Sequence, residues 1–181
     1  MASEFTYELR VPKDRVAVII GTSGATKKQL EKLTNTTLQI DSEEGVISIM
    51  SDDGLALFTA REIIRAIGRG FNPEIAQLLL KQDYGFELVT LNDYAKSPND
   101  VLRLKGRVIG EGGKSRRIIE ELTGCYVSVY GKTIGVIGEF ESLTSARRAV
   151  ESLLAGSPHA TVYKWLEKRR KESKKREFMG Q

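Results

Sequence analysis

Apolar and polar positions change period several times along the chain, and the changes run through the same order twice. FTYELRV (5–11) and FELVTL (86–91) alternate as half-buried strands do, each some distance ahead of a glycine-rich stretch. After each glycine stretch comes a short helical pattern with leucine or isoleucine on its inner face. Two strand patterns follow: TLQI and VISIM in the first half, CYVSVY and TIGVIG in the second. The intervening DSEEG and GKT carry hairpin turn chemistry. A longer helix closes each half. Ala60, Ile63, Ile64 and Ile67 fall at i, i+3, i+4 and i+7, as do Ala146, Ala149, Val150 and Leu153, with Leu154 widening the stripe. A further helix is predicted after each: NPEIAQLLLKQ with Asn72 as cap, and SPHATVYKWLEKRRK with Ser157 as cap, both with proline in the first turn.

The repetition extends to individual residues. GTSGATKKQLEKLTNTTLQI (21–40) aligns without gaps on GEGGKSRRIIEELTGCYVSV (110–129), an offset of 89. Gly21 falls on Gly110, Gly24 on Gly113, Glu31 on Glu120, Leu33 on Leu122 and Thr34 on Thr123. Lys27 and Lys28 fall on Arg116 and Arg117, while Leu30, Leu38 and Ile40 meet Ile119, Val127 and Val129. The element order in both halves is strand, helix, glycine loop, helix, strand, strand, helix. The fold class that follows is α+β, built as two tandem domains of one type, residues 1–85 and 86–181. The second of these ends in a basic helix.

Composition narrows the chemistry. At 181 residues the chain has room for two small cores, and a hydrophobic share of 40% suits a globular protein. No apolar run is long enough to span a bilayer, and MASEFTYELRV lacks the apolar centre of a signal peptide, so a soluble cytoplasmic protein without membrane contact is expected. One cysteine, Cys125, excludes an internal disulfide framework and reads as a small core residue; one histidine, His159, argues against a zinc site. No metal or cofactor is expected. The net charge of +4 is uneven: residues 161–181 hold eight Lys/Arg against three Glu, leaving the rest of the chain at −1. A basic tail with further local basic clusters suits an anionic polymer.

The glycine stretches carry the candidate site. Both have the form Ile-Gly-x-x-Gly: Ile20, Gly21, Thr22, Ser23, Gly24, and Ile109, Gly110, Glu111, Gly112, Gly113. A helix starting just after the second glycine offers unpaired N–H groups and a positive dipole end, where anions bind readily. Without a Cβ, a phosphodiester can approach the peptide closely. Lys27 and Lys28, and Lys114, Arg116 and Arg117, lie in the first turn of that helix, where cations oppose the dipole and so do nothing for the helix itself. Arg103, Lys105 and Arg107 lie on the approach to the second loop. All are read as phosphate contacts. Glu111 would repel a phosphate if it pointed inward, so the backbone carries the binding there. The first loop has fewer charges and an uncharged Thr22-Ser23 pair.

Glycine loops between two helices, twice and in register, resemble those of type I KH domains over nearly the whole chain. The resemblance implies a three-stranded antiparallel sheet and three helices per domain, here with an additional C-terminal helix. It also implies a loop holding about four nucleotides of a single strand, beside an apolar groove bordered by Ile20, Leu30, Ile109 and Ile119. Two such units, each followed by a proline-started helix, with LRLKGRVIGEGGKSRRIIEELTG in the second and a Lys/Arg-rich end, resemble the archaeal pre-ribosomal KH-repeat family. That family is related to the eukaryotic partner-of-Nob RNA-binding proteins. The resemblance implies a non-catalytic ribosome assembly factor that binds single-stranded RNA near the 3′ end of small-subunit rRNA. Its implied partners are the small-subunit precursor, the rRNA-processing endonuclease and the alpha subunit of translation initiation factor two.

Other chemistries fit less well. Gly113-Lys114-Ser115 matches the end of a nucleotide-binding P-loop, but the required first glycine falls on Val108; a dinucleotide fingerprint from Gly110 fails at Ser115. With one histidine, no nucleophile–base constellation is compelling, although a nuclease or nuclease cofactor stands as a third reading. Aromatic residues are 7% of the chain and absent from both loops, unlike the stacking platforms of other single-strand readers. Tyr163 and Trp165 are expected to pack between the two units. The competing functional class is a KH scaffold for protein contacts, or an RNA-decay or translation accessory factor.

Overall fold

The structure, a computed structural model, describes residues 5–180 and divides into two units between Gln82 and Asp83. In the first, β1 (Phe5–Arg10) leads to α1 (Lys13–Ile20) and, through the first glycine loop, to α2 (Ala25–Thr34). β2 (Thr37–Asp41) and β3 (Val46–Ser51) form a hairpin, followed by α3 (Gly54–Gly68) and the short α4 (Pro73–Ala76). The sheet is antiparallel in the order β1-β3-β2, with Leu38 opposite Ile49 and Leu9 opposite Ile47. Alternation along β3 sends Ile47 and Ile49 inward, where the α3 stripe of Ala60, Ile63, Ile64 and Ile67 also lies buried. Val16 and Ile19 of α1 and Leu30 of α2 complete the core. The hairpin turns because the Asp41 carboxylate accepts from the amides of Glu43 at 3.0 Å and Glu44 at 3.1 Å, and Gly45 takes a positive φ of 69°.

The second unit repeats the plan: β4 (Tyr84–Thr90), α5 (Pro98–Ile109), α6 (Lys114–Thr123), β5 (Tyr126–Tyr130), β6 (Thr133–Glu139), α7 (Phe140–Leu154) and α8 (His159–Met179). Its sheet runs in the order β4-β6-β5. Ile134 and Val136 of β6 join Leu104, Val108, Ile119 and the α7 stripe in one buried cluster. Cys125 lies in that cluster against Gly138, and burial pushes its thiol up to about 11, so it is a packed side chain and no nucleophile at neutral pH.

Three details differ from the sequence reading. The unit boundary precedes Gly85 because Tyr84 and Gly85 are already paired with Glu139 and Gly138 of β6. Asn72 does cap a helix, accepting from the Ile75 amide at 2.9 Å, but α4 is one turn that passes into a 3₁₀ turn over Gln77–Leu80. In α8 the cap position is Pro158, not Ser157. Trp165 packs against the core of its own unit, with Arg148 and Arg169 over its ring, and Tyr163 meets His159 edge-on at 6.0 Å. Among the described residues, no helix is long and apolar enough to cross a membrane and no cluster of metal-ligating side chains occurs.

Candidate nucleic-acid interface

Both glycine loops have the same backbone. α1 ends at Ile20, Gly21 takes φ 72°, ψ 179°, and Thr22–Gly24 make a 3₁₀ turn in which Ser23 (φ 53°) and Gly24 (φ 75°) are left-handed. In the second unit Gly110 (φ 75°, ψ 171°), Gly112 (φ 58°) and Gly113 (φ 77°) repeat those values. The first glycine of each loop occupies a region open to almost no other residue. It is also hemmed in: a Cβ on Gly110 would stand 2.6 Å from the Ser115 amide nitrogen, and one on Gly21 would run into the Thr26 side chain and its amide at 2.9 Å. Gly21 and Gly110 are therefore required by the fold itself. Gly24, Gly112 and Gly113 face open space, so the bare, approachable backbone lies at the later positions.

Ser23 supplies a direct check. It is a non-glycine residue in the left-handed region where its counterpart is Gly112. Left-handed backbone costs an L-residue about 1–2 kcal/mol and glycine loses about 0.5–1 in chain entropy. Ser23→Gly is expected to raise stability by about 0.5 kcal/mol, read as a higher urea midpoint.

α2 and α6 start directly from the loops. Their caps, Gly24 and Gly113, carry no side chain that could bond the first-turn amides, whereas Asp53, Asn72 and Ser97 do so for α3, α4 and α5. The first amide of each helix is taken by its own loop, Ala25 N–H donating to the Thr22 carbonyl and Lys114 N–H to the Glu111 carbonyl, and beyond it lie two positive dipole ends that no side chain caps. The basic residues assigned from sequence divide into free and committed groups. Lys28, Lys114, Arg116 and Arg117 are exposed and, among the described residues, have no ion pair. Lys27 reaches Glu31 at 3.9 Å. Arg103 is bonded to Asp100 at 2.9 Å, and the Lys96 amide together with that guanidinium holds the Asp100 carboxyl below the usual carboxylate range. Even so, Arg103 lines a hollow beside the second loop with Gly110, Glu111, Lys114, His159 and Tyr163.

Two of the sequence-assigned cations are placed differently: Lys105 lies away from the loop, and Arg107 has its guanidinium committed to main-chain carbonyls. Lys105 lines a separate recess with Asn92, Pro98, Val101 and Lys132, because a helix turns two successive odd positions to different faces. Arg107 is part-buried: its Nε donates to the Leu153 carbonyl at 2.8 Å and an Nη to the Ser157 carbonyl, satisfying the C-terminal end of α7. It caps the end of α7 and also lines the hollow beside the second loop with Arg103. Sequence reasoning missed its counterpart, Arg15, which donates to the Ile67 and Phe71 carbonyls, both at 2.8 Å, at the end of α3. The groove-bordering residues divide as well. Ile20 and Ile109 are half-buried beside the loops, whereas Leu30 and Ile119 are core side chains at 1% and 0% exposure.

The aligned glutamates prove to be ties. Glu31 accepts from the Leu38 amide at 2.8 Å, and Glu120 from the Val127 amide at 2.9 Å. Each fixes the helix behind a loop to the strand at the edge of its sheet. The match of Glu31 to Glu120 and of Leu38 to Val127 was the available signal.

Each unit thus has a three-stranded antiparallel sheet in the order first-third-second, three packed helices, and an open glycine loop between the first two helices. That is the type I KH domain, present twice. Comparison with known proteins agrees: a KH-domain model matches residues 6–66, and the model for the second KH domain of PNO1, described as a eukaryotic type KH-domain (KH-domain type I), matches residues 85–171. KH domain-containing protein MJ0443 of Methanocaldococcus jannaschii is 51% identical over 173 residues, 94% of this chain and 76% of that protein. Dim2p of Pyrococcus horikoshii, crystallised with a/eIF2alpha and rRNA, superposes with a TM-score of 0.87 at 45% identity, covering 93% of this chain and 95% of that one. RNA-binding protein PNO1 of Oryzias latipes is 33% identical over 115 residues, 62% of this chain and 47% of that protein. The chain belongs to the two-KH-domain family of PNO1 and Dim2p.

Proposed function

We propose that this chain is an RNA-binding ribosome assembly factor that grips single-stranded small-subunit rRNA near its 3′ end through the backbone of its two glycine loops, without catalysing a reaction on it. One observation carries the reading: two identical loop backbones, open at their later positions, feed two helix N-termini that no side chain caps. Beside them stand Lys28 at the first loop and Lys114, Arg116 and Arg117 at the second, which have no ion pair among the described residues. Dim2p, the relative crystallised with rRNA and a/eIF2alpha, supports rRNA as the ligand and the initiation-factor subunit as a partner. The small-subunit precursor and its processing endonuclease are proposed partners on the family resemblance. A cytoplasmic location is proposed with them.

The grip is sequence-blind at the phosphates, since backbone amides and lysine charges meet the chain and not the base edges. Base preference then arises in the groove beside Ile20 and Ile109. Placing carboxylates in the loops separately tests the clamp. Gly112→Asp adds a charge where a Cβ meets nothing within 4 Å, so the fold is kept. It is expected to weaken binding of a single-stranded 3′-end rRNA oligonucleotide about tenfold, the scale of one charge-assisted hydrogen bond removed. Thr22→Asp with Ser23→Asp is expected to cost less, because fewer cations surround that loop. Titration at fixed salt reads both. Parent-like binding by both variants removes the clamp.

A further inference from the structure

The terminal helix carries a second feature that the loops do not use. α8 runs from His159 to Met179, and its buried residues are Val162 and Leu166, both near the start. From Glu167 to Met179 no side chain is buried. No buried apolar side chain therefore holds this half of the helix against the unit; Arg176 reaches Glu141 at 4.0 Å, and the surface is polar up to the exposed Phe178 and Met179. Yet its charges are ordered. Lys164, Lys168, Lys171 and Lys175 are spaced four, three and four residues apart, which at 100° per residue places them in one row. Val162 and Leu166 fall on the opposite side, so the row faces outward, and all four lysines are exposed. At about 1.5 Å per residue the row is about 16 Å long.

Glu167 and Glu172 flank the row, but Glu172 is taken by Arg169 at 3.9 Å. Among the described residues none of the four lysines has an ion pair. Like charges three and four residues apart destabilise an isolated helix. A polyanion laid along the row removes that repulsion; solvent at low salt does not. The row holds neither an aromatic side chain nor an apolar one like the Ile20 and Ile109 that border the loops' groove, so it offers unpaired bases no place to rest. Lysines act as compact charges that tolerate varied geometry, which suits a ridge of phosphates over planar, bidentate recognition.

We infer that the outer lysine row of α8 is a second RNA surface, binding the sugar–phosphate backbone of a double-helical segment that adjoins the single strand held by the loops. The inference rests on the RNA-binding reading above and assigns a different part of the molecule to a different form of RNA. Shape and backbone, not base edges, are what a protein meets on an RNA duplex, and this row is built for backbone alone.

The test uses the full chain and two probes: a single strand of about eight nucleotides, twice what one loop holds, and the same strand joined to a stable hairpin. Lys164→Gln, Lys168→Gln, Lys171→Gln and Lys175→Gln are combined in one variant. All four side chains are exposed, so the far-ultraviolet circular dichroism and urea midpoint are expected to match the parent. On the hairpin-joined probe the salt dependence of log K is expected to flatten by about three, at roughly 0.7–0.9 for each phosphate no longer neutralised. On the bare strand the slope is expected to stay at the parental value. A slope unchanged on both probes overturns the inference and leaves the row to solvent or to an acidic protein surface. A slope lowered equally on both overturns the duplex assignment. Loss of bare-strand binding by Gly112→Asp, with the lysine effect intact or not, is read independently, so failure of the clamp and failure of the row are distinguishable.

Discussion

Gly110→Ala is expected to lower the stability of the second unit by about 3 kcal/mol or more, the largest effect of any single methyl added to the loops. Two costs combine. At φ 75°, ψ 171° Gly110 occupies backbone that other residues reach only at about 1–3 kcal/mol. The new Cβ would also stand 2.6 Å from the Ser115 nitrogen, and Ser115 is itself 1% exposed and fixed in the first turn of α6. Backbone cannot swing aside as a side-chain tip does, and overpacking of this kind costs a further ~1–3 kcal/mol. Urea unfolding followed by a probe in the second unit measures the loss. Gly112→Ala, two residues on, is the control: its Cβ meets nothing, and it is expected to cost only the left-handed penalty of about 1 kcal/mol. Equal losses at the two positions would show that crowding under Gly110 is relieved by a shift of α6.

Arg107→Ala is expected to cost about 3 kcal/mol of stability while leaving RNA affinity of the folded protein unchanged. Its guanidinium satisfies two main-chain carbonyls where α7 ends, and hydrogen bonds to charged groups are worth about 1.5–3 kcal/mol each. The neighbouring His159 ring shares the same corner, its Nε2 lying 2.8 Å from the Arg107 carbonyl. Removing the arginine therefore loosens the junction of α5, α7 and α8 together. Arg117→Ala gives the opposite pattern: parental stability, with a salt slope for single-stranded RNA reduced by about 0.7. An Arg107→Ala protein that keeps its urea midpoint but loses RNA affinity would return this residue to the phosphate path.

The contrast between Arg107 and Arg117 marks where sequence reading reaches its limit. Strands, helices and the twofold repeat were legible because burial imposes fixed periods: Ile47 and Ile49 alternate, Ile63, Ile64 and Ile67 recur with the helix turn, and all are buried. The loops were legible because no other arrangement of glycines recurs at the same offset. What a charged side chain touches has no period. Arg107 and Arg117 look alike in a string of letters, and only packing reveals that one meets carbonyls fifty residues away while the other meets water. Arg15 was invisible for the same reason. It aligns with Leu104 and Arg107 aligns with Val18, so the two caps sit one turn apart in the repeat and leave no matching pair to find. The length of α4 was misjudged because QLLL continues a helical apolar pattern, and the structure tightens it into a 3₁₀ turn instead.

Glu31 and Glu120 anchor to amides seven residues downstream, within the stretch that also contains each glycine loop's helix. The gripping hook, the rod behind it and the first rung of the sheet are consequently stitched into one short cassette by their own atoms. Gene duplication could copy such a cassette and let the surroundings drift, as the displaced arginine caps have done, while the hook kept its shape and its angle to the sheet.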